Sequence, residues 1–335
     1  MFLGFPYDGG VIRFALVLVA LVIGTLVPVA RADEPRPLPL NKSNILRSGG
    51  SYFVEGRQEI PWAQELSVQK ETRIVGRGAG ATLVVGGALQ VRGVAGKEVV
   101  LENFVIEVSE RCQRVHLDNV ILRGCSIRTA KGKTCEARVH IETCDLDATP
   151  IDLLLTKGRV TILNTRVGSP IRLVAVPPKD KKKAAVDALF NTSNLNRGVE
   201  VTGVNDLVVR ACSLSGRTVV FKNCRKLTFD ANACNAPSVV FEQDKAGHFK
   251  KTKLQKSDFI NCKLVLKAPR AGSKKDKISC DKCFFGGRTK KAEILKHDVL
   301  DGHSDESSGA YIWLKKVMDR ASKLGGRTLP SPNQR

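Results

Sequence analysis

Two stretches of this chain spell nearly the same six residues, Arg114-Val-His-Leu-Asp-Asn119 and Arg138-Val-His-Ile-Glu-Thr143. If Val115, Leu117, Val139 and Ile141 point inward on β-strands, alternation turns Arg114, His116 and Asp118 outward, and Arg138, His140 and Glu142 with them. Stacking one stretch on the other sets His116 beside His140, Asp118 beside Glu142 and Arg114 beside Arg138. Glu102 is expected to join from the repeat before, and Arg159 from the repeat after. Two imidazoles with nearby carboxylates could hold a divalent metal. A carboxylate and a histidine could do general acid–base work. Arginines could grip a uronate or a sulfate. His116, His140, Asp118 and Glu142 are therefore the catalytic candidates, and all eight residues form the candidate ligand-binding set. No residue is assigned as a metal ligand, and no cofactor is required. The competing reading is a solvated strand surface whose opposite charges pair between repeats, each pair worth roughly 0.2–1 kcal/mol.

The elements that must position these side chains repeat along the chain. Rows of alternating apolar residues begin at Val99, Val115, Val139, Val160, Leu207, Leu227 and Leu254. Each row steps onto a second short apolar run, as at Ile151–Leu155, Ile171–Val176, Val219–Phe221 and Val239–Phe241. The wide gap between Val160 and Leu207 suits two turns, one enlarged by a Lys-rich insertion near 177–198. Short strands at this spacing with turn residues between them predict stacked β-solenoid coils. Asn103, Asn119 and Asn164 fall where an internal asparagine ladder would sit at a strand-ending bend, ordinary turn chemistry being the alternative. The repeated row argues against a β-sandwich.

The stretch Thr72-Arg-Ile-Val-Gly-Arg-Gly-Ala-Gly-Ala-Thr-Leu-Val-Val85 resembles the first coil of the pectate-lyase-like, right-handed parallel β-helix proteins. In that superfamily a strand, a Gly-rich turn and a second strand open the stack. The resemblance is one of pattern and covers roughly residues 70–290. It implies an all-β, right-handed parallel β-helix whose polysaccharide site lies on an outward face. The enzymes' own signatures are missing. An acidic calcium cluster with a catalytic Arg or Lys has no counterpart, and the N-x-D, D-D, G-H-G and R-I-K motifs do not appear intact. Gly302-His303 lies beyond the repeats in a polar stretch, and His248 and His297 sit in Lys-rich, irregular sequence. Nucleotide-binding glycine motifs, G-x-S-x-G and H-E-x-x-H are absent.

The ends read differently. Arg13, the apolar run Phe14 to Val29 interrupted by Pro28, and Ala30 and Ala32 read as a signal peptide over residues 1–32, cleaved after Ala32. The run is about 16 residues, short of the ~20 a spanning helix needs; an uncleaved anchor is the alternative, and no later segment is apolar enough to span. The expectation is an exported protein, periplasmic or extracellular. Residues 33–69 read as an N-terminal extension or cap. Residues 291–335 read as a C-terminal cap, with an amphipathic helix over Gly309 to Leu324 (apolar face Tyr311, Leu314, Val317, Met318 and Ala321) and a tail after Gly326.

A formal charge of +21 favours an anionic polysaccharide or cell-envelope surface as partner. Aromatics make up only 5% of residues and do not interleave with the basic clusters, which argues against nucleic acid. The Lys-rich runs at 179–183, 250–256 and 267–277 read as solvated loop tips. Of ten cysteines, Cys280 and Cys283 form a C-x-x-C that suits a local disulfide or two packed thiols. The resulting expectation is an exported, non-catalytic β-helix that binds an anionic glycan or envelope component. The alternatives are a polysaccharide lyase or glycoside hydrolase acting on an acidic polysaccharide, and a purely structural envelope protein. The sequence sets no oligomeric state.

Overall fold

Strands of three to five residues cannot bury both faces alone, so the chain winds them into coils that bury one face each. A computed structural model describes residues 35–38, 49–67, 70–179, 184–245, 248–269, 276–301, 308 and 310–320. The expected signal peptide and the tail after Gly326 lie outside these residues. One coil shows the plan: Arg114–Asp118 on a first face, Ile121–Arg123 on a second, Ser126–Thr129 on a third. The next coil repeats it with Cys135–Glu142, Asp145–Asp147 and the start of Ile151–Leu163. Equivalent strands pair in parallel from coil to coil, giving a parallel β-solenoid of about nine turns. The second short runs expected from sequence, at Ile151–Leu155, Ile171–Val176, Val219–Phe221 and Val239–Phe241, form the third face, and the second face is a further short strand between.

The corner after the first face is built the same way in eight coils. Asn119, Thr143, Asn164, Thr192, Ala211, Ala231, Lys256 and Lys282 are left-handed there, with φ between 48° and 55°. In seven of them, all but Lys282, the amide N–H donates across to the next coil, as from Asn119 to the Glu142 carbonyl (3.1 Å) and from Thr143 to that of Leu163 (3.0 Å). The left-handed step turns the following residue into the core: Val120, Cys144, Thr165, Ser193, Cys212, Asn232, Ser257 and Cys283 are all buried. The polar members form an internal ladder. Thr165 Oγ1 accepts from the Cys144 amide (3.3 Å), Ser193 Oγ from that of Thr165 (3.3 Å), and Asn232 Oδ1 from that of Cys212 (2.9 Å). Each donates back to a backbone carbonyl, Asn232 Nδ2 to Val209 at 3.0 Å. The buried backbone at the bend is thus satisfied without water.

This corrects the asparagine ladder. Asn119 and Asn164 occupy the left-handed position, which a short amide tolerates, and are only half-buried. Asn103 is exposed and belongs to another corner, because Val99–Glu102 pairs with Ile121–Arg123 and not with Arg114–Asp118. The internal residues are the next ones along the chain. Towards the C-terminal end the core is aromatic: Phe259 stacks on Phe229 (6.2 Å between centroids) and on Phe285 (5.2 Å). All ten cysteines are buried and free, and Cys280 and Cys283 pack sulfur to sulfur. Burial pushes thiols such as Cys212 and Cys224 up to about 12.

Both ends extend the stack further than expected. Gly50–Ile60 and Ala63–Ser67, in the stretch read as a cap, pair with Thr72–Val85 and Ala88–Arg92 as an earlier coil. The expected C-terminal helix is not formed at residues 310–314. Ala310–Leu314 is a strand on Asp276–Asp281, with Ala310, Ile312 and Leu314 buried and Trp313 exposed. Its burial has period two, and the Tyr-Ile-Trp run suits a pleated surface better than a helix. From residue 321 the expected helix lies outside the described residues. A seven-residue helix, Lys291–His297, forms instead at a corner, buried through Ile294. The 177–198 insertion reduces to the segment before Ala185–Asn191, a regular first-face strand, with 180–183 outside the described residues. No described helix is long and apolar enough to cross a membrane.

The ladder is testable. Asn232→Leu strands the Cys212 amide and the Val209 carbonyl, at about 1–3 kcal/mol for each unsatisfied buried group. Urea unfolding should show the midpoint lowered accordingly; an unchanged midpoint would show that the ladder adds nothing.

Candidate functional site

The three outward columns of the first face are set by strand register. Arg114, Arg138 and Arg159 are directly aligned on consecutive coils, as are His116, His140 and Thr161, and Asp118, Glu142 and Leu163. Neighbouring strands lie ~4.8 Å apart. Arg159 reaches this register because Gly158, at φ 125°, turns the chain from third face to first with no loop. A Cβ there would lie 2.0 Å from the Ala137 carbonyl oxygen. The coil before contributes Gln90 next to His116 and Arg92 next to Asp118. Sequence reasoning missed both, although the alternation Leu89, Val91 carried the same signal. Asp187 closes the far end beside Arg159.

Glu102 does not belong here. It lies on the second face, buried, where Arg73 Nε donates to it at 2.8 Å and Arg123 approaches at 3.6 Å. The row alignment that placed it beside the histidines was out by one face. The other seven candidates do come together.

The histidines meet edge to face, 4.6 Å between ring centroids. His140 Nε2 lies 3.0 Å from Glu142 Oε2, while His116 Nε2 has no hydrogen-bond partner among the described residues. Burial pushes the His116 pKa down, helped by the neighbouring His140 and Arg92. Burial, then Glu142, pushes the Asp118 carboxyl up. Gln90, in the amide orientation that satisfies its neighbours, accepts from Arg92 Nε at 2.6 Å. Among the described residues no group of three or more His, Cys, Asp or Glu side chains could hold a metal ion.

The arginine column differs from the other charged columns of the fold. On the third face Glu107, Arg128, Asp152, Arg172 and Glu200 alternate in sign along consecutive coils. Further along the first face Lys226 pairs with Asp206, and Arg210 with Asp230 at 3.2 Å. Arg114, Arg138 and Arg159 are exposed, stacked like on like, and form no ion pair among the described residues. Like charges directly opposite on neighbouring strands repel. Such a column gains most from an anion that bridges it, since each guanidinium offers a planar fork of donors to a carboxylate or sulfate.

The titration of the patch has a definite sign. His116 binds its proton less readily folded than unfolded, so stability is complete above the unfolded histidine pKa of ~6.5 and falls as pH drops through and below it. Thermal unfolding between pH 8 and 5 should show that loss in the wild type and a flatter profile in His116→Gln. Equal slopes would mean that the imidazole is not held neutral by its surroundings.

Comparison of the chain with protein-family models, with curated proteins and with solved structures finds no match, so the argument for what this face does rests on its own geometry.

Proposed function

We propose that this chain is an exported, non-catalytic solenoid that binds an anionic glycan of a cell envelope across its first face. The observation that supports this reading is the column Arg114, Arg138 and Arg159, three exposed guanidinium groups in register that form no ion pair among the described residues, whereas the column from Glu107 to Glu200 alternates in sign. The flanking histidines and carboxylates give the site an edge of mixed polarity, suited to sugar hydroxyls as well as acid groups. Export rests on the apolar run before Ala32, and the charge of +21 favours an anionic partner anywhere on the surface. A second reading, a polysaccharide lyase or glycoside hydrolase, draws support from Asp118, aligned with Glu142 and next to His116, whose carboxyl burial and Glu142 push up, since paired carboxyls in unlike surroundings suit general acid–base chemistry.

One screen separates these readings. Mature protein is titrated with uronate-containing, sulfated and neutral oligosaccharides, with product analysis for chain cleavage. Salt-sensitive binding of the acidic sugars without cleavage is expected, weakened on the order of ten- to a hundredfold in Arg114→Ala/Arg138→Ala/Arg159→Ala, from three exposed ion pairs worth roughly 0.5–1 kcal/mol each. Cleavage that disappears in His116→Ala/His140→Ala would replace the binding reading with the enzymatic one. Absence of both binding and cleavage would leave the stack itself as the function.

A further inference from the structure

Three connections with lysines in them begin and end at one edge of the solenoid, the corner between the third face and the first. The first joins Ile171–Ala175 to Ala185–Asn191, the second Ser238–Glu242 to Thr252–Gln255, and the third Lys263–Lys267 to Asp276–Asp281. Their described lysines, Lys179, Lys245, Lys251, Lys267 and Lys277, are all exposed and form no ion pair among the described residues. Among the described residues, the carboxylates of the second segment are already engaged. Lys222 Nζ holds Glu242 at 2.6 Å and Asp244 at 3.3 Å, and Asn223 donates to Asp244 at 2.7 Å. The described part of the edge therefore presents unpaired lysines from the end of the coil that carries Arg159 to the coils nearer the C-terminal end.

We propose that this edge is a second binding surface, distinct from the arginine column, and that its partner is a layer of anionic phospholipid headgroups. A corner of a stack is convex and its described lysines are exposed, an arrangement open to an extended anionic layer. A cavity of about 500 Å³ borders Lys267, but Glu242 and Asp244 line it too, which makes it a poor channel for a polyanionic chain. The residue type points the same way. Lysine carries a compact charge on a flexible stem, which suits a diffuse, laterally mobile anionic surface, whereas the planar arginine fork suits defined oxyanions. Contact along this edge would lay the solenoid parallel to the membrane.

The test is co-sedimentation of mature protein with large vesicles of phosphatidylcholine and phosphatidylglycerol, about 3:1, against phosphatidylcholine alone. Wild type should sediment with the anionic vesicles only and be released by salt. Replacing all five lysines, Lys179→Gln, Lys245→Gln, Lys251→Gln, Lys267→Gln and Lys277→Gln, should lower partitioning by on the order of a thousandfold or more. The triple arginine variant should partition like wild type, so failure of the glycan site and failure of this surface give different results. Wild type that ignores anionic vesicles, or a lysine variant that binds them as well as wild type, would overturn the proposal. Lysine-dependent capture of soluble dextran sulfate without vesicle binding would also overturn it, in favour of a polymeric partner.

Discussion

Much of this molecule depends on the left-handed residue that ends eight of its first-face strands. A β-strand continues until something bends it, and here a single residue at φ near 50° does so in coil after coil. Because its amide bonds to the following coil, the bend also fixes the register between coils. Register in turn decides which side chains share a column, and a slip of one residue would exchange inside for outside along a whole strand. The energetic penalty of holding Thr143, Thr192 or Lys256 in a conformation their side chains disfavour is offset by the hydrogen bonds that the corner closes.

The charged columns show what that register makes possible. With strands at ~4.8 Å, every outward residue has a neighbour above and below, so each column behaves as a one-dimensional array. Alternating the sign, as from Glu107 to Glu200, makes an array self-satisfying and inert. Repeating the sign, as from Arg114 to Arg159, leaves it in want of a counter-charge. The same scaffold thus yields neutral walls or anion-seeking ones, depending on one residue per coil.

How much of this was legible in the sequence follows from the range of each interaction. The alternation of Arg114 to Asp118 and of Arg138 to Glu142 is local, and it placed His116 against His140 and Asp118 against Glu142 correctly. Glu102 was misplaced because a coil has three faces and the apolar pattern of Val99–Glu102 resembles that of a first-face strand; only its pairing with Ile121–Arg123 distinguishes them. The asparagines were assigned to the interior because bend and interior adjoin, and the inward residue is one position later. At the C-terminal end, Tyr311 to Leu314 satisfies a helical apolar stripe and a strand alternation equally over so few residues, and tertiary pairing with Asp276–Asp281 decides the outcome. The shared edge of the Lys-rich segments could not be seen at all, since it depends on counting corners through the whole stack.

The buried thiols carry a further consequence. A cysteine held near 12 is thiolate in only about one molecule in 10⁵ at neutral pH, so disulfide exchange at Cys212 or Cys224 has almost no nucleophile to work with once the coil has closed. In an oxidising compartment the folded chain would keep its sulfurs reduced by shielding them, with no reductant needed. The unfolded chain has no such protection, and its ten thiols would be free to pair wrongly.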